Sequence, residues 1–464
     1  MGFSLDERLA SFGDATALCW RGQSHSYAWL GTEIQAWSRR LKRLAVGPGE
    51  CVAIVGDYSP QTCSLLLALV LNRNVVVPLG TPPEAVLDEH LHTAEVGHVF
   101  LFTEADAWRY CRQTPVETAT EHPLLHELRS IGEPGLILFS SGSTGRSKAS
   151  LLNVASLLDR FLTVRRGYRT LVFLLLDHIG GINTLLHILT QGGTAITSEA
   201  RTADAVCACI EEHRVELLPT TPTFLNMLLI SDAHRRFDLS SLRLITYGTE
   251  PMPVATLRHL HEALPDVTLK QTYGLTELGI LPTQSRAPDE LWIRLDRSVV
   301  DYKIVDNILW VRCRSAMLGY LNAPSPFDEE GWLNTQDVVQ VDGEYLKILG
   351  RCSDIINVGG EKVFPAEVEG VLLQMDEIRE ALVVGKPNPV TGHVVVARVT
   401  PSRPPDDPRT FAASVRAFCG ERLQPYKIPM LVEIVDGHGH GHTARFKKLR
   451  PPAVPAGAHG DLGL

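Results

Sequence analysis

Cysteine is scarce: nine residues in a chain of 464. The number is odd and no pairs stand at metal-ligand spacing, although Cys207 and Cys209 sit close together in "ADAVCACIEEH". This excludes a disulfide framework and reads as reduced, mostly buried thiols in a reducing compartment. Lys/Arg-rich runs are also missing. With 44 basic and 53 acidic residues the formal charge is −9, so no nucleic-acid partner and no anionic membrane surface is expected. There is no low-complexity block and no repeat of fixed period, which excludes a largely disordered chain and a solenoid or propeller. The best apolar run, "SLLLALVLNRNVVVPL", is broken by Arg73 and Asn74, and the opening "MGFSLDERLASFGD" has no apolar core of a leader peptide. A cytoplasmic protein without a membrane span is therefore expected.

What is present is the composition of a globular protein, 44% apolar and 21% charged. Its length implies two or more domains. Over the first 350 residues, strand-like runs ("CVAIVGD", "NVVVPLG", "GHVFLFT", "LILFSS", "TLVFLLL", "SLRLITYG") alternate with amphipathic segments such as "WLGTEIQAWSRRLKRL" and "TADAVCACIEEHRV". Alternation of this kind predicts an α/β domain of mainly parallel sheets flanked by helices. After Pro282 the strands shorten into a β-rich subdomain, with a hairpin turn expected at Asp342-Gly343. A new cycle follows "GRCSD": a helix in "PAEVEGVLLQM" and strands in "EALVVGKP" and "HVVVARVTP". The expected division is residues 1–350, a small α+β domain over 351–450, and a frayed Pro/Gly/Ala-rich tail over 451–464.

The segment "LILFSSGSTGRSKAS" joins a buried strand to a loop of Ser140, Ser141, Gly142, Ser143, Thr144, Gly145, Arg146, Ser147 and Lys148. Small residues let the backbone approach an anion, hydroxyls and amides donate to phosphate oxygens, and the lysine adds a point charge. A Ser/Gly linker has similar composition, but this tract follows a strand directly and ends in basic residues. It lacks the Gly-Lys-Ser/Thr spacing of a Walker loop, which disfavours a P-loop kinase or GTPase.

Four further segments follow in order: "QTYGLTELG" (271–279), "GWLNTQDV" (331–338), "GRCSDIINVGGEKVFPAEVE" (350–369) and "TARFKKLR" (443–450). With the Ser/Gly loop they resemble the ordered motifs of the adenylate-forming superfamily, which includes acyl-CoA synthetases, peptide-synthetase adenylation domains and firefly luciferase. The chain is most like an acyl-CoA ligase. The resemblance implies ATP-dependent activation of a carboxylic acid to an acyl-AMP, with release of pyrophosphate, and then transfer to a thiol. ATP, Mg²⁺ and CoA are the implied cofactors and substrates.

The same resemblance implies the roles of particular residues. The loop Ser140–Lys148 would hold the β- and γ-phosphates. Glu277 would contact Mg²⁺, a hard cation suited to carboxylate oxygen, and Thr276 the α-phosphate. Tyr273, Gly274, Gly248, Thr249 and Glu250 would line the adenine and acyl pocket. Asp337 would accept from both ribose hydroxyls, and Arg351 would reach the ribose beside an interdomain hinge. Gln336 stands where the family usually has glycine, and Ser353 where the hinge usually has Asp or Lys. Gly359 and Gly360 would border a pantetheine tunnel, for which the plainer reading is a tight turn. Lys447 would bridge the attacking carboxylate and the α-phosphate, with Lys448 as the fallback.

His178, in "LLLDHIGGINTLL", would stand at the acyl-pocket entrance near Gly181, with a structural histidine as the competing reading. Ile179 replaces the aspartate that pairs with an amino group in amino-acid-activating relatives, so an α-amino acid is disfavoured, although a one-residue shift would bring in Asp177. A lining without an obvious cation implies a fatty or aromatic acid lacking extra charge. CoA is the first choice of acceptor and a free-standing acyl or peptidyl carrier protein the second. A luciferase-like oxidase and a non-catalytic nucleotide-binding relative are the readings from other classes. The latter would be expected to have lost Lys447 or Glu277. His438, His440 and His442 read as a surface loop rather than a metal site.

Overall fold

The computed structural model describes residues 4–113, 121–141 and 146–435. Two seven-stranded sheets form the framework of the N-terminal region. In one, Cys51–Val55, Val75–Leu79, His98–Phe102 and the start of Gly135–Ser141 run parallel, and antiparallel strands Trp108–Arg112 and Ser147–Asn153 flank them. In the other, Thr16–Trp20, Thr194–Ile196, Arg169–Leu171, Leu217–Thr220, Leu244–Tyr247 and Thr268–Gln271 are parallel, with antiparallel Gln23–Ser26 at one edge. The inner strands are uninterrupted apolar runs because helices cover both faces.

Helix Pro60–Leu71 shows how local signals set these elements. The Ser59 side chain accepts from the Thr62 amide, Pro60 occupies the first turn, and nearly every following residue is buried. The expected strand "TLVFLLL" is shorter than its apolar run: it ends at Leu171. Its partner Thr194–Ile196 is only three residues long: the Val172 amide still reaches the Ile196 carbonyl at 2.8 Å, but the Phe173 amide turns back to the Leu171 carbonyl at 3.0 Å, so the chain leaves the sheet with Phe173 and Leu176 buried and Leu174 and Leu175 partly exposed. Here burial, not strand pairing, explains the hydrophobicity.

The β-rich subdomain is a six-stranded antiparallel sheet from Thr283–Ser285 to Tyr345–Arg351. Its hairpin pairs Asp342 with Tyr345, so the two turn residues are Gly343 and Glu344. The turn lies one residue later than Asp342-Gly343, because Gly343 supplies the positive φ (60°) at the first loop position.

The chain changes sheets between Arg351 and Ile356, through a single 3₁₀ turn at Cys352–Asp354. A second, smaller α+β unit follows: strands Ile356–Val358, Glu361–Val363, Ile378–Asn388, Gly392–Pro401 and Leu431–Ile434 with helices Pro365–Leu372 and Pro408–Gly420. Its core, which includes Val363, Leu372, Val395 and Val415, also takes in Ala255 of helix Val254–Ala263. The architecture is thus the expected combination of mainly parallel sheets, a β-rich subdomain and a small α+β C-terminal unit. Among the described residues no helix is long and apolar enough to cross a membrane.

Candidate active site

Asp337 and Arg351 face each other on adjacent antiparallel strands. Asp337 is 5% exposed; its Oδ1 lies 3.3 Å from Arg351 Nε, and its Oδ2 accepts from the Tyr273 hydroxyl at 2.6 Å. The Asp337 amide donates to Thr335 Oγ1. Burial raises the carboxyl above the usual aspartate range, while Arg351 and Tyr273 pull it back. Burial and the neighbouring carboxylate push the Tyr273 phenol far up, so it stays a donor. Tyr273 therefore donates directly to Asp337.

Gln336 has φ +61°, the left-handed conformation that a glycine would adopt without a Cβ penalty. The Asn334 side chain accepts from its amide at 2.9 Å and helps to hold the turn. The departure from glycine thus leaves the aspartate in place. Gln336 is exposed, so Gln336→Gly should raise unfolding stability by about 0.5–1 kcal/mol in urea titration.

The hairpin Tyr273–Leu275/Gly279–Leu281 presents Thr276 and Glu277 at its turn, both partly exposed. At Gly274 a Cβ would come within 2.4 Å of the Gly279 carbonyl, so only glycine fits this tight hairpin. The Tyr320 hydroxyl donates to Glu277 Oε1, and the Lys148 ammonium sits 4.9 Å from the centre of the Tyr320 ring. Strand Gly319–Tyr320 pairs with Leu151 and Ser150, while Lys148 pairs with Ser140. The Asn322 side chain donates to the Ser147 carbonyl and accepts from the Ala149 amide, securing the same edge.

Tyr320 thus joins the basic end of the Ser/Gly loop to Glu277. Sequence reasoning missed it because a two-residue strand carries no periodic signal. Tyr320→Phe should keep the cation–π contact, remove the hydroxyl from Glu277, and lower kcat by about tenfold, read in steady-state assays with a melting-temperature control.

Ser140 and Ser141 end the strand Gly135–Ser141, whereas Gly142, Ser143, Thr144 and Gly145 lie outside the described residues. Gly248 and Thr249 follow strand Leu244–Tyr247, and a Cβ at Gly248 would meet Thr272 at 2.6 Å. Glu250 turns back to accept from the Thr223 amide at 2.8 Å and from its hydroxyl.

His178 caps helix Ile179–Thr190: its Nδ1 accepts from the Gly180 amide at 3.1 Å. Gly181 packs against Tyr58 and the Leu175 carbonyl. The helix packs on strand Gly279–Leu281 and so abuts the Glu277 hairpin. Gly359 and Gly360, both at positive φ, form the two-residue turn between Ile356–Val358 and Glu361–Val363, and a Cβ at either would meet nothing within 4 Å. Ser353 lies in the 3₁₀ turn, bonded to Asp354. Lys447, Lys448 and the histidines 438, 440 and 442 lie outside the described residues, as does the 451–464 tail.

Asp337 and Glu277 are held by different supports, the first buried against Arg351 and Tyr273, the second open to solvent beside Tyr320. A buried carboxylate with two fixed donors and a solvent-open carboxylate beside a lysine are thus two chemically distinct acceptors in one region. The chain belongs to the AMP-binding enzyme family, which matches residues 5–321, and the AMP-binding enzyme C-terminal domain matches residues 367–443. It is 29% identical to an indoleacetate–CoA ligase of Aromatoleum aromaticum, over 91% of both chains. It is also 29% identical to a feruloyl-CoA synthase of an Amycolatopsis species, over 91% of this chain and 92% of the relative. Among solved structures, the anthranilate CoA ligase AuaEII in complex with anthranoyl-AMP superposes with a TM-score of 0.80 at 20% identity, covering 96% of this chain and 95% of that one.

Proposed function

We propose that this enzyme joins a carboxylic acid to AMP and then passes the acyl group to the thiol of CoA. In the first step a carboxylate oxygen attacks the α-phosphorus of ATP, and the bond to the bridging oxygen breaks to release pyrophosphate. In the second, the CoA thiolate attacks the acyl carbon and AMP leaves. The observation that carries this reading is the Asp337–Arg351–Tyr273 group standing with the Glu277–Tyr320–Lys148 group in one N-terminal framework.

In this reading Asp337 accepts from the ribose hydroxyls, and Thr276 with the Ser140–Lys148 loop holds phosphate oxygens. Glu277 is the Mg²⁺ residue: its carboxylate is partly exposed and offers hard oxygen. When bound, the metal would offset negative charge on the phosphates. Among the described residues no group of three or more His, Cys, Asp or Glu could form an all-protein metal cage, which fits an ion shared with substrate. Lys447 stabilises charge at the α-phosphate. The C-terminal unit, from residue 351 onward, turns about the Arg351–Ile356 connection between the two steps.

The relatives named for indoleacetate and ferulate favour an aromatic acid over a fatty one. Their names likewise favour CoA over a carrier protein as acceptor. A cytoplasmic location fits nine free cysteines, several with thiols that burial pushes up to about 12. The test is incubation with ATP, Mg²⁺ and a panel of aryl and fatty acids, with and without CoA, followed by mass analysis. Acyl-CoA, AMP and pyrophosphate in equal amounts are expected. Acyl adenylate that accumulates and ignores CoA would instead assign a carrier protein, and ADP as product would overturn the reading.

A further inference from the structure

From Phe173 to His178 the chain has left its sheet and has not yet entered helix Ile179–Thr190. Phe173 and Leu176 are buried there, while Leu174, Leu175, Asp177 and His178 keep partial exposure. Carbonyls without a strand partner need donors from elsewhere. Side chains supply them.

Arg201 Nε donates to the Phe173 carbonyl at 2.8 Å, and its Nη1 lies 2.9 Å from Asp57 Oδ2. One guanidinium thus holds a backbone carbonyl and a carboxylate together, which its rigid fork of donors allows. The Tyr58 hydroxyl donates to the Leu174 carbonyl at 2.9 Å. A Cβ at Gly181 would come within 1.9 Å of the Leu175 carbonyl and 2.6 Å of the Tyr58 hydroxyl, so the first turn of the helix rests on this fastening.

The contacts lie where the two seven-stranded sheets present their carboxyl ends. Asp57 and Tyr58 follow strand Cys51–Val55, which runs parallel to Val75–Leu79 and, through it, to Gly135–Ser141. The Ser/Gly loop therefore leaves that sheet at the same edge. In the other sheet, Phe173–His178 follows Arg169–Leu171, Arg201 comes after Thr194–Ile196, and the Thr276–Glu277 hairpin follows Thr268–Gln271, all from parallel strands. A Cβ at Gly80, next after Val75–Leu79, would lie 3.4 Å from Asp177 Oδ2, a second point at which the two edges meet. Ligands of open α/β sheets bind beyond the carboxyl ends of the strands. The Phe173–His178 segment is thus a wall of the crevice that also receives the Ser/Gly loop and Glu277.

We propose that Tyr58 and Arg201 are positioning residues for the acid: they fasten the Phe173–His178 wall by its carbonyls, so that the acid is held in one orientation toward ATP. This rests on the reading of the protein as an acid-activating ligase. Neither side chain touches the reacting atoms. Their effect falls on the acid and not on ATP, which in that reading is held by Asp337, the Ser/Gly loop and the Glu277 hairpin.

The test measures acid-dependent pyrophosphate release by the full chain with ATP and Mg²⁺. Indoleacetate and ferulate are tried first, then the rest of the aryl and fatty panel, and the acid used fastest by the wild type is kept. Tyr58→Phe removes one hydroxyl, and Arg201→Met removes the guanidinium but keeps an unbranched side chain. Each is expected to raise the KM for the acid about tenfold and to leave the KM for ATP near the wild-type value.

Hydrogen exchange adds a readout that does not depend on turnover. In Tyr58→Phe the amides of residues 174–182 should exchange faster, while strands Cys51–Val55 and Leu244–Tyr247 keep their protection. If Arg201→Met fails to fold, Tyr58→Phe carries the test. Variants that lose kcat with both KM values unchanged, or that raise the KM for ATP as much as that for the acid, would make the contacts merely structural. Either result, or acid kinetics unchanged in Tyr58→Phe, would overturn the inference while leaving the ligase reading intact. Silence of the wild-type enzyme with every acid would instead strike at the ligase reading, and the inference would fall with it.

Discussion

Asp337→Ala should lower kcat/KM for ATP by about a hundredfold and also lower stability by about 2 kcal/mol. The two losses have separate causes. The activity falls because charge-assisted hydrogen bonds to a diol are lost, each of which contributes ~1.5–3 kcal/mol. The stability falls because the buried Tyr273 hydroxyl loses its acceptor. The Arg351 side chain is 52% exposed and so regains water, which keeps the cost below that of stranding a fully buried charge. Asp337→Asn keeps an acceptor for Tyr273 and should recover most of the stability but little of the ATP affinity. Steady-state kinetics in ATP and urea unfolding of both variants separate the two effects. Equal ATP kinetics for wild type and Asp337→Ala would remove the carboxylate from the nucleotide site.

Lys447→Ala should slow acyl-adenylate formation about a hundredfold, the ~3 kcal/mol expected for one donor aimed at transition-state charge. Thioester formation from a pre-formed acyl adenylate and CoA should stay near the wild-type rate, because that step does not need charge stabilised at the α-phosphate in the same way. Lys448→Ala is the matched control. A reversed pattern would transfer the role to Lys448, and slowing of both half-reactions by Lys447→Ala would argue for a structural part.

The framework was readable from sequence where periodicity and punctuation agree. Cys51–Val55, Val75–Leu79 and Gly135–Ser141 are strands because apolar runs of that length are bounded by turn residues. "TLVFLLL" misled because a buried non-strand segment has the same composition as a buried strand. At Asp342-Gly343 the composition of the turn was legible but its register was not, since pairing with the facing strand decides which residues form the loop.

The site divides in the same way. Asp337, Arg351 and Glu277 stand in recognisable motifs. Tyr320 meets Lys148 and Glu277 through contacts that only the folded chain creates.

The central claim is that a carboxylic acid becomes an acyl adenylate on this enzyme. Adenylation is reversible, so the most direct test is acid-dependent exchange of labelled pyrophosphate into ATP in the absence of CoA. Label should enter ATP with an aryl acid, stay at background without acid, and fall about a hundredfold in Lys447→Ala. Background exchange with every acid, from an enzyme that still binds ATP, would contradict the account.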